Sequence, residues 1–106
     1  MKSFTAAVAL LAAGFSAAGH AADFSVTQKD DQFSTKQLRV KRGDTVEFRN
    51  DDSHFHNIFS LSDTKSFDLG SYPQGQSRKV VMDKEGTVEV ECAIHPHMKM
   101  VIEVSK

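Results

Sequence analysis

The residues able to do chemistry crowd into one stretch near the C-terminus, Cys92-Ala93-Ile94-His95-Pro96-His97-Met98-Lys99-Met100. It sets a thiol, an imidazole and a thioether at offsets 0, +3 and +6, and it holds the one cysteine of the 106-residue chain. A second stretch, His54-Phe55-His56-Asn57, brings further imidazoles. Two histidines, one thiolate and a weak axial methionine are the donor set of an electron-transfer copper site. Zinc shares the cysteine and histidine donors, but a thioether is not among its usual ligands. The methionine therefore favours copper.

The spacing adds a physical condition. A thiolate that closes a strand and an imidazole three residues later face one point only if the chain turns between them. Pro96 holds His95 extended and restricts that turn. Met98 comes back to the same side as the chain enters its last strand. The remaining imidazole must arrive from a different strand. Donors split between a loop and a rigid neighbouring strand impose a geometry that the metal does not choose. If Cu(I) and Cu(II) share that geometry, little rearranges when an electron moves.

The elements that would position these groups are strands. No long segment has a helical period, whereas short alternating runs separated by turn residues recur along the chain. Phe24, Val26 and Gln28 open a first strand that Asp30-Asp31 interrupts. Leu38 and Val40 alternate with Lys36, Arg39, Lys41 and Arg42, whose charges read as a solvated outer face. Val46 and Phe48 point inward from the run after Gly43-Asp44. The stretch over residues 61–76 is the least regular, with turn signals at Asp63, Gly70, Pro73 and Gly75 and room for a short helical turn. Phe67, Leu69 and Tyr72 are expected to cover one end of the core there. Residues 77–82, 87–92 and 98–104 read as three more strands, the last with Met100, Ile102 and Val104 inward. The expectation is an all-β sandwich or barrel of about seven to eight strands.

The N-terminus reads as an address. Lys2, an apolar run over residues 4–15 and the small-x-small motif Gly19-His20-Ala21 make a signal peptide over residues 1–21 and a mature domain over residues 22–106. That apolar run is shorter than the about 20 residues a membrane span needs, so no span is expected after processing. The expected location is the periplasm. A net charge of −1, about −2 once Lys2 is removed, gives no basic face for nucleic acid. A lone cysteine in an oxidising compartment cannot form an internal bridge, and metal coordination accounts for it.

The combination resembles the cupredoxins, small blue copper proteins that include plastocyanin, amicyanin and pseudoazurin. The residues that carry the resemblance are Gly43-Asp44-Thr45-Val46-Glu47-Phe48-Arg49-Asn50, His56-Asn57-Ile58, the run from Gly86 to Cys92, and Cys92-x2-His95-Pro96-x-Met98. They span essentially the whole mature chain, and the short ligand loop is most like that of amicyanin. It is also similar to small plastocyanin-like proteins associated with methylamine utilisation. The resemblance implies a Greek-key sandwich with one type 1 copper ion at one end. It further implies His56, Cys92 and His95 as strong ligands, Met98 as the axial one, and Asn57 steadying the thiolate by a hydrogen bond. His54 shares the parity of His56, but the following Asn57-Ile58-Phe59 matches the family position at His56. Met100 competes with Met98, yet it continues the buried parity of Ile102 and Val104 and reads better as core.

His54 and His97 depart from the family, which commonly surrounds the exposed C-terminal ligand histidine with apolar residues where partners dock. They read as exposed side chains, or as accessory groups that accept or pass copper. The expected function is a monomeric, non-enzymatic carrier exchanging electrons with a redox protein such as a cytochrome, dehydrogenase or oxidase. The alternative is copper binding for tolerance or homeostasis. A copper oxidase or reductase needs further histidine clusters, and the mature histidines are already assigned.

Overall fold

Alternation becomes strands because every second side chain must leave water. The computed structural model describes residues 20–106, so the expected leader lies outside the described residues except for its last two. Among the described residues nine strands form: β1 (Asp23–Lys29), β2 (Gln32–Phe33), β3 (Gln37–Lys41), β4 (Thr45–Asn50), β5 (His56–Leu61), β6 (Ser66–Tyr72), β7 (Ser77–Val81), β8 (Gly86–Cys92) and β9 (Lys99–Ser105). They make two sheets, ordered β2-β1-β4-β7 and β3-β9-β8-β5-β6. The sheets are mixed, with β1 parallel to β4 and β3 parallel to β9. The all-β sandwich read from the sequence is the observed fold.

Val26, Val46, Phe48 and Val80 of the first sheet join Val40, Ile58, Val88, Val90, Ile102 and Val104 of the second in one buried cluster. Tyr72 is wholly buried against it, and Phe67 and Leu69 pack on its margin. The basic side chains of Lys36, Arg39, Lys41 and Arg42 face solvent, as expected. Parity carries the core pattern into the site. Cys92 continues the inward row of Val88 and Val90, and His56 that of Ile58 and Ser60. Because β5 and β8 are antiparallel, with Ile58 opposite Cys92, the inward end of one strand meets the inward start of the other.

Two of the nine strands were not among the runs read from the sequence. The irregular stretch holds no helical turn but a full strand, β6, paired with β5. Its alternation is broken by a bulge opposite Asn57 and Phe59, where Gly70 takes φ +72°, and its margin position leaves only Tyr72 fully buried. The other is the two-residue β2, which folds back on β1 through Asp30 and Asp31. Met82 and Met98, read as strand residues, lie just beyond β7 and just before β9 and are buried all the same.

At the end opposite Cys92, Asp44 ties three segments together. Its carboxylate accepts the backbone N–H groups of Ala22 and Lys41, each at 2.8 Å, while its own carbonyl accepts from Met82 at 2.8 Å. The two backbone donors hold the Asp44 carboxyl below its ordinary value, Ala22 first and Lys41 second. A carboxyl lowered in the folded state stabilises the fold above its unfolded pKa and loses that effect as pH falls through the lowered value. Asp44→Asn is therefore expected to cost about 1–2 kcal/mol in urea unfolding at pH 7. The gap between variant and parent should close as the pH is taken down from about 4. A gap that stays constant from pH 7 to pH 2 contradicts this role for the charge.

Candidate metal centre

Four segments converge at the end of the sandwich where β5 begins and β8 stops: the β1–β2 turn, the loop before β5, the start of β5, and the loop from Cys92 to Met98. Cys92 Sγ lies 3.6 Å from His56 Nδ1 and 3.9 Å from His95 Nδ1. Metal–sulfur and metal–nitrogen bonds of about 2.3 and 2.0 Å, set 120° apart, leave sulfur and nitrogen about 3.7 Å from one another. Both sulfur–nitrogen separations are thus those of a trigonal set around one soft ion. Cys92 and His56 are buried, and His95 reaches solvent with 21% of its side chain.

Local bonds hold the sulfur in place. The backbone N–H of Asn57 donates to Cys92 Sγ at 3.4 Å, and the N–H of Ala93 donates to Asn57 O at 2.9 Å. The ligand loop is therefore stitched to β5 on both sides of the thiol. The tie through Asn57 runs along its backbone, and its side-chain oxygen is buried without a hydrogen-bond partner. The N–H of Met98 donates to His95 O at 2.9 Å, closing the loop in a tight turn that returns the buried Met98 towards the core. Met98 and Met100 both belong to the buried cluster, Met100 within β9 and Met98 just before it.

Asp52 orients the upstream imidazole. His56 Nε2 lies 2.7 Å from Asp52 Oδ2. With Nε2–H given to the carboxylate, the Nδ1 lone pair is left facing Cys92, which is the tautomer a metal needs. The same carboxylate accepts the N–H of Asp30 at 2.6 Å and of Asp31 at 3.1 Å. Asp52 is in turn fixed by Asn50, whose Oδ1 accepts the Asp52 N–H at 2.8 Å and whose amide donates to the carbonyls of His54 and Tyr72. Burial pushes the Asp52 carboxyl up. His56 and the backbone N–H groups of Asp31 and Asp30 outweigh it and bring it down to about 2.

A second cluster lies behind the first. Asp31, His54, His56 and His95 each offer one ligand atom within 4.8 Å of the others. The rings of His54, His56 and His95 form a triangle with centroids 5.0 Å apart. His54 is exposed, with Nε2 2.5 Å from Asp31 Oδ1. His97 is exposed beyond His95, their ring centroids 6.2 Å apart. Neither Asp31 nor Asp52 stood out in the sequence as a site residue. The signal available was a pair of Asp-Asp steps, one in a turn and one just ahead of the histidine pair, with nothing to say that they meet.

Asp52 carries the prediction. Asp52→Ala leaves two backbone N–H groups and one imidazole N–H without an acceptor. We expect a loss of about 2–3 kcal/mol in chemical unfolding of the metal-free chain and a loss of about 10- to 100-fold in metal affinity by competition with a chelator. A variant matching the parent in both contradicts the assigned role.

Comparison with known proteins identifies the family and the fold. Residues 20–105 match the family described as copper binding proteins, plastocyanin/azurin family. Methylamine utilization protein MauL of Methylorubrum extorquens is 26% identical over 106 residues, covering 99% of this chain and 93% of its own. Among solved structures, a purple cupredoxin from Nitrosopumilus maritimus superposes with a TM-score of 0.69 at 26% identity, covering 78% of this chain and all of its own. A mutant amicyanin in its Cu(I) form gives a TM-score of 0.73 at 22% identity, covering 78% of this chain and 82% of its own. A copper-containing nitrite reductase from Thermus scotoductus gives 0.74 at 25% identity over 79% of this chain, which spans only 22% of the reductase. The chain belongs to the plastocyanin/azurin family of copper-binding proteins.

Proposed function

We propose that this chain is an electron carrier holding one type 1 copper ion between Cys92 Sγ, His56 Nδ1 and His95 Nδ1, with Met98 as the weak axial donor. The observation that carries the reading is the pair of sulfur–nitrogen separations, 3.6 and 3.9 Å, from one buried thiol to two inward ring nitrogens. Copper supplies a one-electron couple between Cu(I) and Cu(II). The chain's part is to keep the donors still. Sulfur is held by the Asn57 N–H, His56 by Asp52, and the loop by the Met98–His95 turn, so few atoms need move when charge changes.

His95 is the ligand whose ring reaches solvent, and it is the proposed route for the electron. Ile94 and Phe55, each next in sequence to a histidine of the site, expose 48% and 52% of their surface, and Pro96 is exposed beside His95. Such an apolar rim suits a short-lived complex with a cytochrome, dehydrogenase or oxidase, the protein itself remaining a monomer. On this reading, the copper-loaded protein titrates reversibly with one electron, and Ile94→Lys slows electron self-exchange measured by NMR line broadening by about tenfold or more. An unchanged exchange rate contradicts docking at this rim.

A periplasmic address is part of the proposal and rests on the leader-like N-terminus. No helix among the described residues is long and apolar enough to cross a membrane. Cleavage after Ala21 leaves the new α-amino group of Ala22 where its backbone nitrogen now lies, 2.8 Å from Asp44 Oδ1. Processing would then turn a neutral hydrogen bond into a charge-assisted one. The intact mass of protein released from the periplasm should correspond to a chain starting at Ala22. A mass that retains the first residues contradicts it.

The second reading, copper handling for tolerance, is favoured by the Asp31–His54 pair beside the site. A deletion strain that is copper-sensitive yet respires normally supports it over the carrier.

A further inference from the structure

The imidazoles of the site have two edges, and only one edge of each faces Cys92. The inner edges of His56 and His95 present Nδ1 to the sulfur. Their outer edges present Nε2 to the β1–β2 turn: His95 Nε2 is 3.6 Å and His56 Nε2 4.0 Å from Asp31 Oδ1. His56 is already committed there to Asp52 at 2.7 Å. His95 Nε2, His54 Nε2 and Asp31 remain, and they converge from three separate loops.

We propose that Asp31, His54 and His95 form a second cation site on the outer face of the histidine triangle, taking a borderline divalent ion such as Cu2+ or Zn2+. Two imidazoles and a carboxylate are the donors such ions prefer. Bonds of about 2.0–2.1 Å in a tetrahedral arrangement place ligand atoms about 3.3 Å apart. The His95–Asp31 separation of 3.6 Å is near that value, and the 2.5 Å His54–Asp31 contact is a hydrogen bond whose proton the ion replaces. That proton leaves to solvent as the ion binds; where Nδ1 of His95 already holds the inner copper, the His95 Nε2 proton leaves to solvent as well and the ring bridges the two ions as imidazolate. The fourth position is open to water.

Access separates this site from the inner one. The side chains of His54, Asp31 and His95 are 46%, 36% and 21% exposed, whereas Cys92 and His56 are 1% and 0% exposed. An ion arriving from solvent meets the outer set first. The turn that presents Asp31 is also held in an uncommon form. Asp30 and Asp31 have φ of 54° and 55°, a left-handed conformation that non-glycine residues seldom adopt. Asp52 accepts both of their backbone N–H groups and holds them there. The Asp31 carboxylate is thus fixed over the imidazoles before any ion binds.

The two sites share His95, yet the outer one is testable apart from the carrier reading, because Cys92→Ser removes the inner thiolate and leaves all three outer donors. Purified full-chain Cys92→Ser is titrated with Zn2+ by calorimetry and with Cu2+ by EPR. One equivalent of Zn2+ should bind, and the Cu2+ spectrum should show nitrogen hyperfine coupling without a thiolate band. Adding Asp31→Asn and His54→Ala to Cys92→Ser should weaken Zn2+ binding at least about a hundredfold, since even outer partners of a ligand are worth 10–100-fold. Far-UV circular dichroism checks the fold, and Cys92→Ala replaces Cys92→Ser if the serine variant does not fold. No Zn2+ binding by the single variant, or equal binding by the triple variant, overturns the proposal. Neither outcome bears on the carrier reading, which depends on the thiolate.

Discussion

The register between β5 and β8 is the constraint on which the site depends. With Ile58 opposite Cys92, the thiol emerges at the last paired position of β8. Asn57 and His56 continue past it on the partner strand. One backbone N–H therefore points at the sulfur, and the imidazole one residue further along reaches it from the side. A slip of one residue would turn His56 outward and an apolar side chain onto the thiol, because successive strand residues face opposite ways. The core enforces the register: Ile58, Val88 and Val90 are all fully buried, and none can be exchanged for a neighbour without exposing it.

On that frame a carboxylate network gives the imidazoles direction. Asp52 takes hydrogen bonds from His56, whose other edge faces Cys92, and from both residues of the β1–β2 turn, so the first hairpin and the upstream imidazole are held by one group. The inner edges of His56 and His95 look toward sulfur and the outer edges toward carboxylates. A ligand ring pinned on its far side cannot rotate away when its near side is empty, so the arrangement exists before a metal arrives. On the proposed carrier reading, the same pinning would keep small the movement of donors on a change of copper oxidation state.

Much of this was legible in the chain itself. Thr45–Asn50 and Gly86–Cys92 alternate without a break, and both became strands with the expected inward faces. The meeting of Cys92 and His95 was readable because they lie three residues apart in one short loop. His56 was separable from His54 only through its neighbours Asn57 and Ile58, and burial now separates the two rings: one wholly inside, the other half in solvent. β6 was not legible, since a bulge shifts its parity midway and a position at the sheet margin leaves few residues fully buried. Asp31 and Asp52 were not legible either. Their roles come from a turn and a loop 21 residues apart meeting over a third segment, and local pattern carries no record of that.

The most direct test of the account is the absorption and EPR spectrum of the purified chain, without its first 21 residues, loaded with one equivalent of Cu2+. The account predicts an intense sulfur-to-copper charge-transfer band, in the region of about 600 nm, that vanishes in Cys92→Ser. A protein that stays colourless, or a band that survives that substitution, contradicts it.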